Sequence, residues 1–434
     1  MRLSPLHPWV AHKLGCPPEQ LTRREIEAYQ LRQVQQTLQF VRQKSRFYRR
    51  HLATAPLELA SLEALAEFPF TTPDDIRCNP WPFLCVSQSD IERVVTLESS
   101  GTTGDPKRLY FTKEDQELTL DFFHIGMSTF TSAGDRVLIL LPGERPGSVG
   151  DLLAAALPRL GAVGLKHGPV REAKLTLQVM AEAKVTGLVG LPTHVLWLAR
   201  QPEAKRLRPR LKSVLLTADH VPEAIKAVVE QTWGCQVYNH YGMTEMGLGG
   251  GVECQARRGY HLREADLYLE IVDPRTGQPV PDGVTGEIVF TTLTRRGMPL
   301  IRYRTGDLSR FIPGECPCGA VLKTLARVKE RASGYVSLDD GYTLTIADLD
   351  EALFPLPAVL NFSAAVSRES GQPCLHLEIF PAAEPSSDLN VAIQQALRTI
   401  PAMQAGKLTV ALRIALPGNG PAPTLAKRTI RFTA

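Results

Sequence analysis

The 434-residue sequence predicts an α/β protein. We expect a large N-terminal domain, with mostly parallel sheets covered by helices plus an antiparallel β-part, and a small α+β C-terminal domain. Between residues 115 and 242, apolar runs rich in Val, Ile and Leu alternate with amphipathic stretches, as in a parallel sheet with helices on both faces. Beyond residue 265, apolar and polar residues alternate as in antiparallel strands. Another change of pattern near residue 331 places the expected domains at 1–330 and 331–434.

The N-terminal part of the chain is predicted to contain one long helix and two short strands. Thr22 and Glu25 have the spacing of a capping box, and the apolar side chains that follow recur at three- and four-residue steps. This pattern predicts a helix over 22–48. Short strands are expected at 93–97 and 109–112, on either side of a polar stretch.

The alternating region is predicted to contain five helices and five strands. The helices are expected near 115–130, 150–159, 172–184, 193–200 and 222–233, and the strands at 136–142, 162–165, 185–192, 211–219 and 235–242. Ligands of parallel sheets bind beyond the carboxyl ends of strands. Ala218, Asp219, Asn239 and His240 lie at such ends and are candidate site residues, although His240 is equally compatible with a satisfied core histidine.

The last 170 residues or so are predicted to change from antiparallel strands to a small mixed domain. Antiparallel strands are expected at 267–273 and 285–293. In the C-terminal domain, strands at 375–381 and 408–415 flank a helix over 389–400.

The composition is that of an ordinary soluble globular protein. Hydrophobic residues make up 44% and charged residues 22% of the chain. The net charge of +4 is too small and too dispersed to indicate nucleic acid or a membrane as partner. Nothing approaches the run of about 20 apolar residues of a membrane helix, and the first residues, MRLSPLHPWV, do not resemble a signal peptide, so a cytoplasmic location is expected.

The polar stretch between the two short strands has the composition of a phosphate-binding loop. Its hydroxyl and glycine residues are Ser99, Ser100, Gly101, Thr102, Thr103 and Gly104. Backbone N–H and side-chain O–H groups can both face an anion there, and Lys107 adds a positive charge. The pattern is not that of a P-loop, because no Ser or Thr follows the lysine. Taken alone, the stretch is also compatible with an ordinary polar turn.

Four motifs occur in an order that resembles adenylate-forming acyl-CoA synthetases. They are SSGTTGDPK (99–107), YGMTE (241–245), GEIVFT (286–291) and RYRTGDL (302–308). The flanking segments FPFTTPDDIRCNPWPF (68–83) and MPLIRYRTGDLSRFIPGECPCG (298–319) are similar to those of the phenylacetate-CoA ligase-like family. The resemblance covers roughly residues 25 to 330.

The resemblance implies an ATP-dependent carboxylate-CoA ligase acting on an aryl or related carboxylic acid. Such an enzyme converts the acid to acyl-AMP and pyrophosphate, and then to acyl-CoA and AMP. The implied roles are phosphate neutralisation by Lys107, Mg²⁺ binding by Glu245, and ribose binding by Asp307. The remaining implied nucleotide contacts are Thr244 at the α-phosphate, Tyr241 beside the adenine, Gly242, and Arg327 as the later basic residue.

The resemblance also implies that the C-terminal domain is a mobile lid carrying a catalytic lysine. Aligning TLAKRTIRF on Arg428 puts Leu425 at the lysine position and Lys427 two residues downstream. A two-residue shift on a strand keeps the same face, so Lys427 is the first candidate and Lys407 the second. The hinge segment RVKERASG (327–334) departs from the family pattern.

Cys254, His261, Cys316 and Cys318 form a second constellation. Three thiolates and an imidazole are a closed tetrahedral zinc set, and related proteins carry a similar arrangement that binds structural Zn²⁺. The alternative is ordinary reduced cysteines.

Two other functions are compatible with the same motifs. One is an adenylating enzyme whose acceptor is not CoA, and the other is a catalytically weak nucleotide-binding assembly protein. The expected small-molecule partners of the ligase are a carboxylic acid, ATP and CoA, and a homodimer is one candidate oligomeric state.

Overall fold

The computed structural model describes residues 2–97, 106–332, 334–369, 372–416 and 428–432. The chain forms two compact units. The first unit comprises residues 1–133, 145–161 and 239–328, and the second comprises 134–144, 162–238 and 329–434. The chain enters the second unit for the last time at residue 329, close to the expected start of the C-terminal domain. The division into domains 1–330 and 331–434 stays a prediction.

The helices and strands alternate through most of the chain. The α-helices are α1 (Leu6–Leu14), α2 (Arg23–Lys44), α3 (Arg46–His51), α4 (Pro73–Cys78), α5 (Lys113–Met127), α6 (Val149–Ala156), α7 (Ala173–Glu182), α8 (Pro192–Ala199), α9 (Glu223–Trp233), α10 (Ile346–Leu353), α11 (Leu389–Leu397) and α12 (Pro401–Gln404). The strands are β1 (Ile91–Leu97), β2 (Lys107–Thr112), β3 (Arg136–Ile139), β4 (Val163–Lys166), β5 (Gly187–Gly190), β6 (Ser213–Leu216), β7 (Gln236–Tyr241), β8 (Gly251–Glu253), β9 (Tyr260–Leu262), β10 (Leu267–Val272), β11 (Gly286–Thr292), β12 (Tyr303–Ser309), β13 (Thr324–Leu325), β14 (Glu330–Arg331), β15 (Tyr335–Ser337), β16 (Thr343–Thr345), β17 (Val359–Glu369), β18 (Gln372–Pro381), β19 (Thr409–Ile414) and β20 (Arg431–Phe432).

The first unit is built on antiparallel pairs. β1 pairs with β2, and β10, β11 and β12 pair in that order. A second ladder runs β13, β9, β8 and the end of β7. Buried side chains from α2, β2, β10, β11 and β12 form one apolar core, which includes Val34, Leu109, Ile271, Phe290 and Tyr303.

The second unit contains the parallel sheet that the sequence predicts. β3 pairs in parallel with β4 and β5, and β5 pairs in parallel with β6. Buried side chains of these strands pack with those of α7, α8 and α9 in a common apolar core. The last four strands form a separate sheet in the order β19, β18, β17, β20. The predicted α/β fold class is confirmed.

The predicted N-terminal helix is interrupted, which the apolar periodicity did not indicate. α2 ends at Lys44 because Ser45 is extended (φ −86°, ψ 124°), and α3 begins at Arg46. The Ser45 hydroxyl accepts a hydrogen bond from the backbone N–H of Tyr48 at 3.2 Å, as an N-cap does. It also donates to the carbonyl of Pro82 at 2.9 Å, so a contact distant in sequence fixes the break.

Among the residues that the structure describes, no helix is both long and apolar enough to cross a bilayer.

Candidate active site

A buried cluster of Lys107, Glu245 and Tyr303 forms the centre of the candidate site. Lys107 is the first residue of β2, paired with Leu97 across the hairpin. Its ammonium group forms an ion pair with Oε1 of Glu245 and donates to the Tyr303 hydroxyl at 3.1 Å. The same hydroxyl lies 3.1 Å from Oε1 of Glu245. The structure therefore brings together two residues that the motifs predicted and one whose role they did not indicate.

Glu245 is fixed by its backbone as well as by its carboxylate. It lies in a short 3₁₀ turn, Thr244–Met246, which ends at Gly247 in the left-handed region (φ 74°). Arg295 donates to the carbonyl of Glu245 at 2.7 Å and to the carbonyl of Tyr110 at 3.2 Å. Arg295 is buried and joins the Glu245 turn to β2, the strand that begins with Lys107. No spacing in the sequence indicated a role for this arginine.

Asp307 and Tyr241 meet in the interior of the first unit. The Tyr241 hydroxyl donates to Oδ2 of Asp307 at 3.1 Å, and both side chains are buried. Gly306 precedes Asp307 with φ 74°, a conformation that glycine adopts without strain. Two residues expected on different parts of a nucleotide are thus in direct contact.

Arg327 and Asn239 share Glu253, a carboxylate that no motif indicated. Arg327 forms an ion pair with Oε1 of Glu253 at 2.7 Å and donates to the carbonyl of Arg257 at 3.0 Å. The backbone N–H of Asn239 donates to Oε2 of Glu253 at 2.9 Å. Glu253 therefore ties the end of β7 to the segment that carries Arg327.

His240 lies half-buried near two aromatic rings. Its ring centroid is 6.2 Å from that of Phe122 and 6.4 Å from that of Phe123. Burial, with a smaller effect of Arg263, lowers the pKa of His240 to about 4, so its imidazole is neutral at neutral pH. A Cβ atom on Gly242 would lie 2.9 Å from Cε1 of His240 and 2.4 Å from the carbonyl oxygen of Leu248, which explains the glycine.

Ala218 and Asp219 lie in the second unit, shortly after β6. Ala218 is in the left-handed region (φ 72°). Asp219 forms an ion pair with Arg428 at 3.1 Å, and Arg428 also makes two bonds of 2.7 Å to the buried Asp350. The expected loop residues Ser99, Ser100, Gly101, Thr102, Thr103 and Gly104, and Lys427, lie outside the described residues. The second candidate lysine, Lys407, is half-buried and paired with Asp340.

Arg302 and Arg304 flank Tyr303 and have structural partners. Arg302 forms an ion pair with Glu270 at 2.9 Å, and both side chains are buried. Arg304 forms an ion pair with Glu287. The two arginines that flank Tyr303 in the RYRTGDL motif therefore both form ion pairs within the protein.

Cys254, His261, Cys316 and Cys318 are buried together, with their potential ligand atoms within 4.8 Å of one another. The Sγ atoms of Cys254 and Cys316 are 3.7 Å apart, and Nε2 of His261 is 3.2 Å from Sγ of Cys318. Zn–S bonds of about 2.3 Å in a tetrahedron place two sulfurs about 3.8 Å apart, so the spacing fits zinc. Hydrogen bonds from Cys254 and then from His261 lower the pKa of Cys318, which favours the thiolate.

The comparisons with known proteins define the class of this protein, which is that of adenylate-forming enzymes. The AMP-binding enzyme family matches residues 87–293 of the chain. A solved 2-hydroxyisobutyryl-CoA ligase, in complex with 2-HIB-AMP in its postadenylation state, has the same fold. Its TM-score is 0.81 at 22% identity, with 95% of this chain and 90% of that chain covered.

The sequence relatives identify the family. The chain is 30% identical over 370 residues to the phenylacetate-coenzyme A ligase of Thermus thermophilus, an alignment that covers 81% of this chain and 80% of that protein. It is 31% identical over 329 residues to the phenylacetate-coenzyme A ligase of Aromatoleum evansii, covering 73% and 72%. The chain belongs to the phenylacetate-CoA ligase family, and it is an AMP-forming acid–CoA ligase.

Proposed function

We propose that the protein uses ATP and Mg²⁺ to convert an aryl or related carboxylic acid to acyl-AMP and pyrophosphate, and then transfers the acyl group to CoA. The observation that carries the proposal is the buried cluster of Lys107, Glu245 and Tyr303, which follows the predicted phosphate loop. The family relatives, named as phenylacetate-CoA ligases, support an aryl acid as substrate.

The chemistry of the first step requires charge neutralisation. A carboxylate and the α-phosphate of ATP are both anionic, so their approach is opposed by repulsion. In the proposal, Lys107 faces the β- and γ-phosphates with the N–H and O–H groups of residues 99–104, which stabilises pyrophosphate as it leaves. Glu245 is a hard oxygen ligand in a protected position, and one carboxylate plus phosphate oxygens is a usual environment for Mg²⁺. Bound Mg²⁺ would add further charge neutralisation.

The nucleotide would be held by the residues that the motifs single out. In the proposal, Asp307 accepts hydrogen bonds from the ribose hydroxyls, because a carboxylate can accept two at once. Tyr241 contacts Asp307 directly, Gly242 follows Tyr241 in the chain, and Thr244 faces the α-phosphate. Asn239, His240 and Arg327 in the first unit are further proposed ligand contacts, with His240 as a neutral residue. Ala218 and Asp219 in the second unit are proposed contacts as well.

The residues 331–434 are proposed to act as a lid that supplies Lys427. A lysine reaching the carboxylate and α-phosphate would reduce their mutual repulsion in the first step. The paired variants Lys427→Ala and Lys407→Ala test this assignment. Only the first should slow acyl-AMP formation, and an unchanged rate in Lys427→Ala would remove Lys427 from the mechanism.

The four-ligand cluster is proposed to bind structural Zn²⁺. The buried set of three sulfurs and one imidazole nitrogen fits a closed tetrahedral site, which leaves no position for a substrate. Zinc there would link the β8–β9 hairpin to the loop between β12 and β13. Metal analysis of the purified protein tests the proposal directly.

The decisive experiment is a screen of carboxylic acids for pyrophosphate release, with and without CoA. The proposal predicts AMP and pyrophosphate as products and a CoA thioester for the preferred acid. ADP and phosphate as products would refute it. Acyl-AMP formation followed by transfer to a carrier-protein thiol or an amine, but not to CoA, would favour the non-CoA alternative. ATP-independent partner binding without adenylation would favour the assembly protein. Light scattering would show whether the protein is a homodimer, the candidate oligomeric state.

A further inference from the structure

We infer that Tyr303 is a positioning residue for adenylation, which holds the Glu245 carboxylate in place while Lys107 exchanges its partner from Glu245 to the phosphates of ATP. This inference rests on the proposed function of the same site. It concerns a residue between the two groups that the motifs assign to the phosphates and the magnesium ion.

Lys107 and Glu245 form an ion pair with no net charge in a largely buried position. The side chains of Lys107 and Glu245 are 12% and 3% exposed, and Tyr303 is fully buried. One ammonium and one carboxylate neutralise each other where water is largely excluded. If Lys107 turned to a phosphate without replacement, Glu245 would keep its charge and lose its main partner, which is unfavourable in such a site.

The Tyr303 hydroxyl is placed to bridge both states. A phenol can accept one hydrogen bond and donate another. Here it accepts from Nζ of Lys107 at 3.1 Å and donates to Oε1 of Glu245 at 3.1 Å. After Lys107 moves, the same O–H can continue to donate to Oε1 of Glu245, so the carboxylate keeps its orientation.

Tyr303 is held more firmly than Lys107. The residues on its two sides are hydrogen-bonded to the backbone of Thr71. The N–H of Thr71 donates to the carbonyl of Arg302 at 3.1 Å, and the N–H of Arg304 donates to the carbonyl of Thr71 at 2.9 Å. Its ring packs against Phe290 with 5.4 Å between centroids. Lys107 has a flexible four-carbon stem and three equivalent donors, which suit a group that changes partners.

Arg295 fixes the backbone of Glu245. Its bond of 2.7 Å to the Glu245 carbonyl holds the backbone, so the remaining freedom of this residue is in its side chain. The bond from Tyr303 restricts that side chain. Backbone and carboxylate are therefore set by separate partners, and neither of these two bonds has to break when Lys107 moves.

The test is Tyr303→Phe, which removes one hydroxyl and keeps the ring. Adenylation is followed by pyrophosphate release over a range of MgATP and Mg²⁺ concentrations, and the thioester step is followed separately from supplied acyl-AMP and CoA. We expect the adenylation efficiency with MgATP to fall about 10- to 100-fold, as for a lost hydrogen bond to a charged group. More Mg²⁺ should be needed, and the thioester step should stay within about twofold of wild type.

Two controls separate positioning from a general structural role. Tyr29→Phe removes another partly buried hydroxyl, which donates to the Ala265 carbonyl at 3.0 Å, and should leave both steps unchanged. In the double variant Tyr303→Phe with Glu245→Gln, the loss should equal that of Glu245→Gln alone, because Tyr303 acts through Glu245.

Wild-type MgATP dependence in Tyr303→Phe, or full additivity of the two substitutions, would overturn the inference. If the wild type forms no acyl-AMP from any acid, the proposed function fails by itself. The inference is then judged by MgATP binding in calorimetry, where equal affinities of wild type and Tyr303→Phe would refute it.

Discussion

Replacing Arg302 with Met should strongly destabilise the protein, because it leaves Glu270 buried without its counter-ion. Arg302 and Glu270 are 1% and 5% exposed and share two bonds, Nη2 to Oε1 at 2.9 Å and Nε to Oε2 at 3.1 Å. Arg302 Nη1 also donates to the carbonyls of Ala66 at 2.9 Å and Phe68 at 2.6 Å. Removing one partner of such a buried pair costs about 3 to 5 kcal/mol.

The expected change in melting temperature follows from that energy. The first unit has 240 residues, from 133 in its first segment, 17 in its second and 90 in its third. Domains of about this size lose roughly 2 to 4 °C per kcal/mol, so Arg302→Met should melt about 6 to 20 °C lower in calorimetry. The double variant Arg302→Met with Glu270→Leu should recover the part of the loss that comes from the unpaired charge, because both charges are then absent. The carbonyls of Ala66 and Phe68 stay without their donor, so the recovery should be partial.

The loss of stability in Arg302→Met should depend on pH, which distinguishes an unpaired Glu270 from a packing defect. Burial raises the pKa of Glu270 and Arg302 opposes the rise, so the pKa should be higher still in Arg302→Met. A carboxyl whose folded pKa exceeds its unfolded pKa binds more protons when folded, and stability then falls as pH rises between the two values. The gap between wild type and variant should therefore be smaller at about pH 5 than at about pH 8. A gap below about 2 °C, or one independent of pH, would refute the reasoning.

Three further predictions concern the Cys/His cluster, His240 and Gly242. Cys318→Ser should lower bound zinc from about one equivalent to near zero in metal analysis, whereas exposed Cys78→Ser should leave it unchanged. The pKa of His240 is about 4 in the folded protein and near 6.5 in the unfolded chain. The free energy of unfolding of the wild type should therefore fall by up to about 3 kcal/mol as the pH drops from 6.5 to 4. In urea titrations, the free energy of unfolding of His240→Gln should fall less over the same pH range. Gly242→Ala should cut the adenylation rate at least about tenfold, because its new Cβ would overlap the Leu248 carbonyl; Gly126→Ala, whose Cβ would meet only Val252 at 3.5 Å, should be tolerated.

The fold could be predicted well where local pattern and tertiary environment agree. The alternating segment between 115 and 242 became a parallel sheet with helices, because its apolar runs are buried in β3, β5 and β6. Element ends were less predictable. The predicted strand at 211–219 is observed only at Ser213–Leu216, since the following residues turn sharply at Ala218 with φ 72°.

The candidate site residues could be proposed from sequence as a set, but the contacts between them could not. Lys107, Tyr241, Glu245 and Asp307 belong to motifs whose order indicates the chemistry. The contacts of Tyr303 depend on the pairing of β12 with β11. The hydrogen bond from Arg295 to the carbonyl of Glu245 depends on the conformation of the loop between these two strands. Neither of these contacts produces a pattern of spacing that could be recognised in the sequence. The Cys/His cluster was predictable because chemistry restricts which side chains can share a metal, and the pairing of β13 with β9 then brings them close.

Three buried ion pairs in the first unit show how structural and exchangeable charges can be distinguished. In the pairs Arg302–Glu270 and Arg263–Asp266, the guanidinium group also donates to backbone carbonyls. If either arginine changed its partner, the carboxylate and these carbonyls would all lose their donor. Lys107 has no such carbonyl bond among the contacts of the described chain, and its two side-chain partners, Glu245 and Tyr303, can bond to each other. Loss of an arginine should therefore appear first as loss of stability. Loss of the Tyr303 hydroxyl should appear first as a changed response to MgATP, because it removes the link that remains when Lys107 moves.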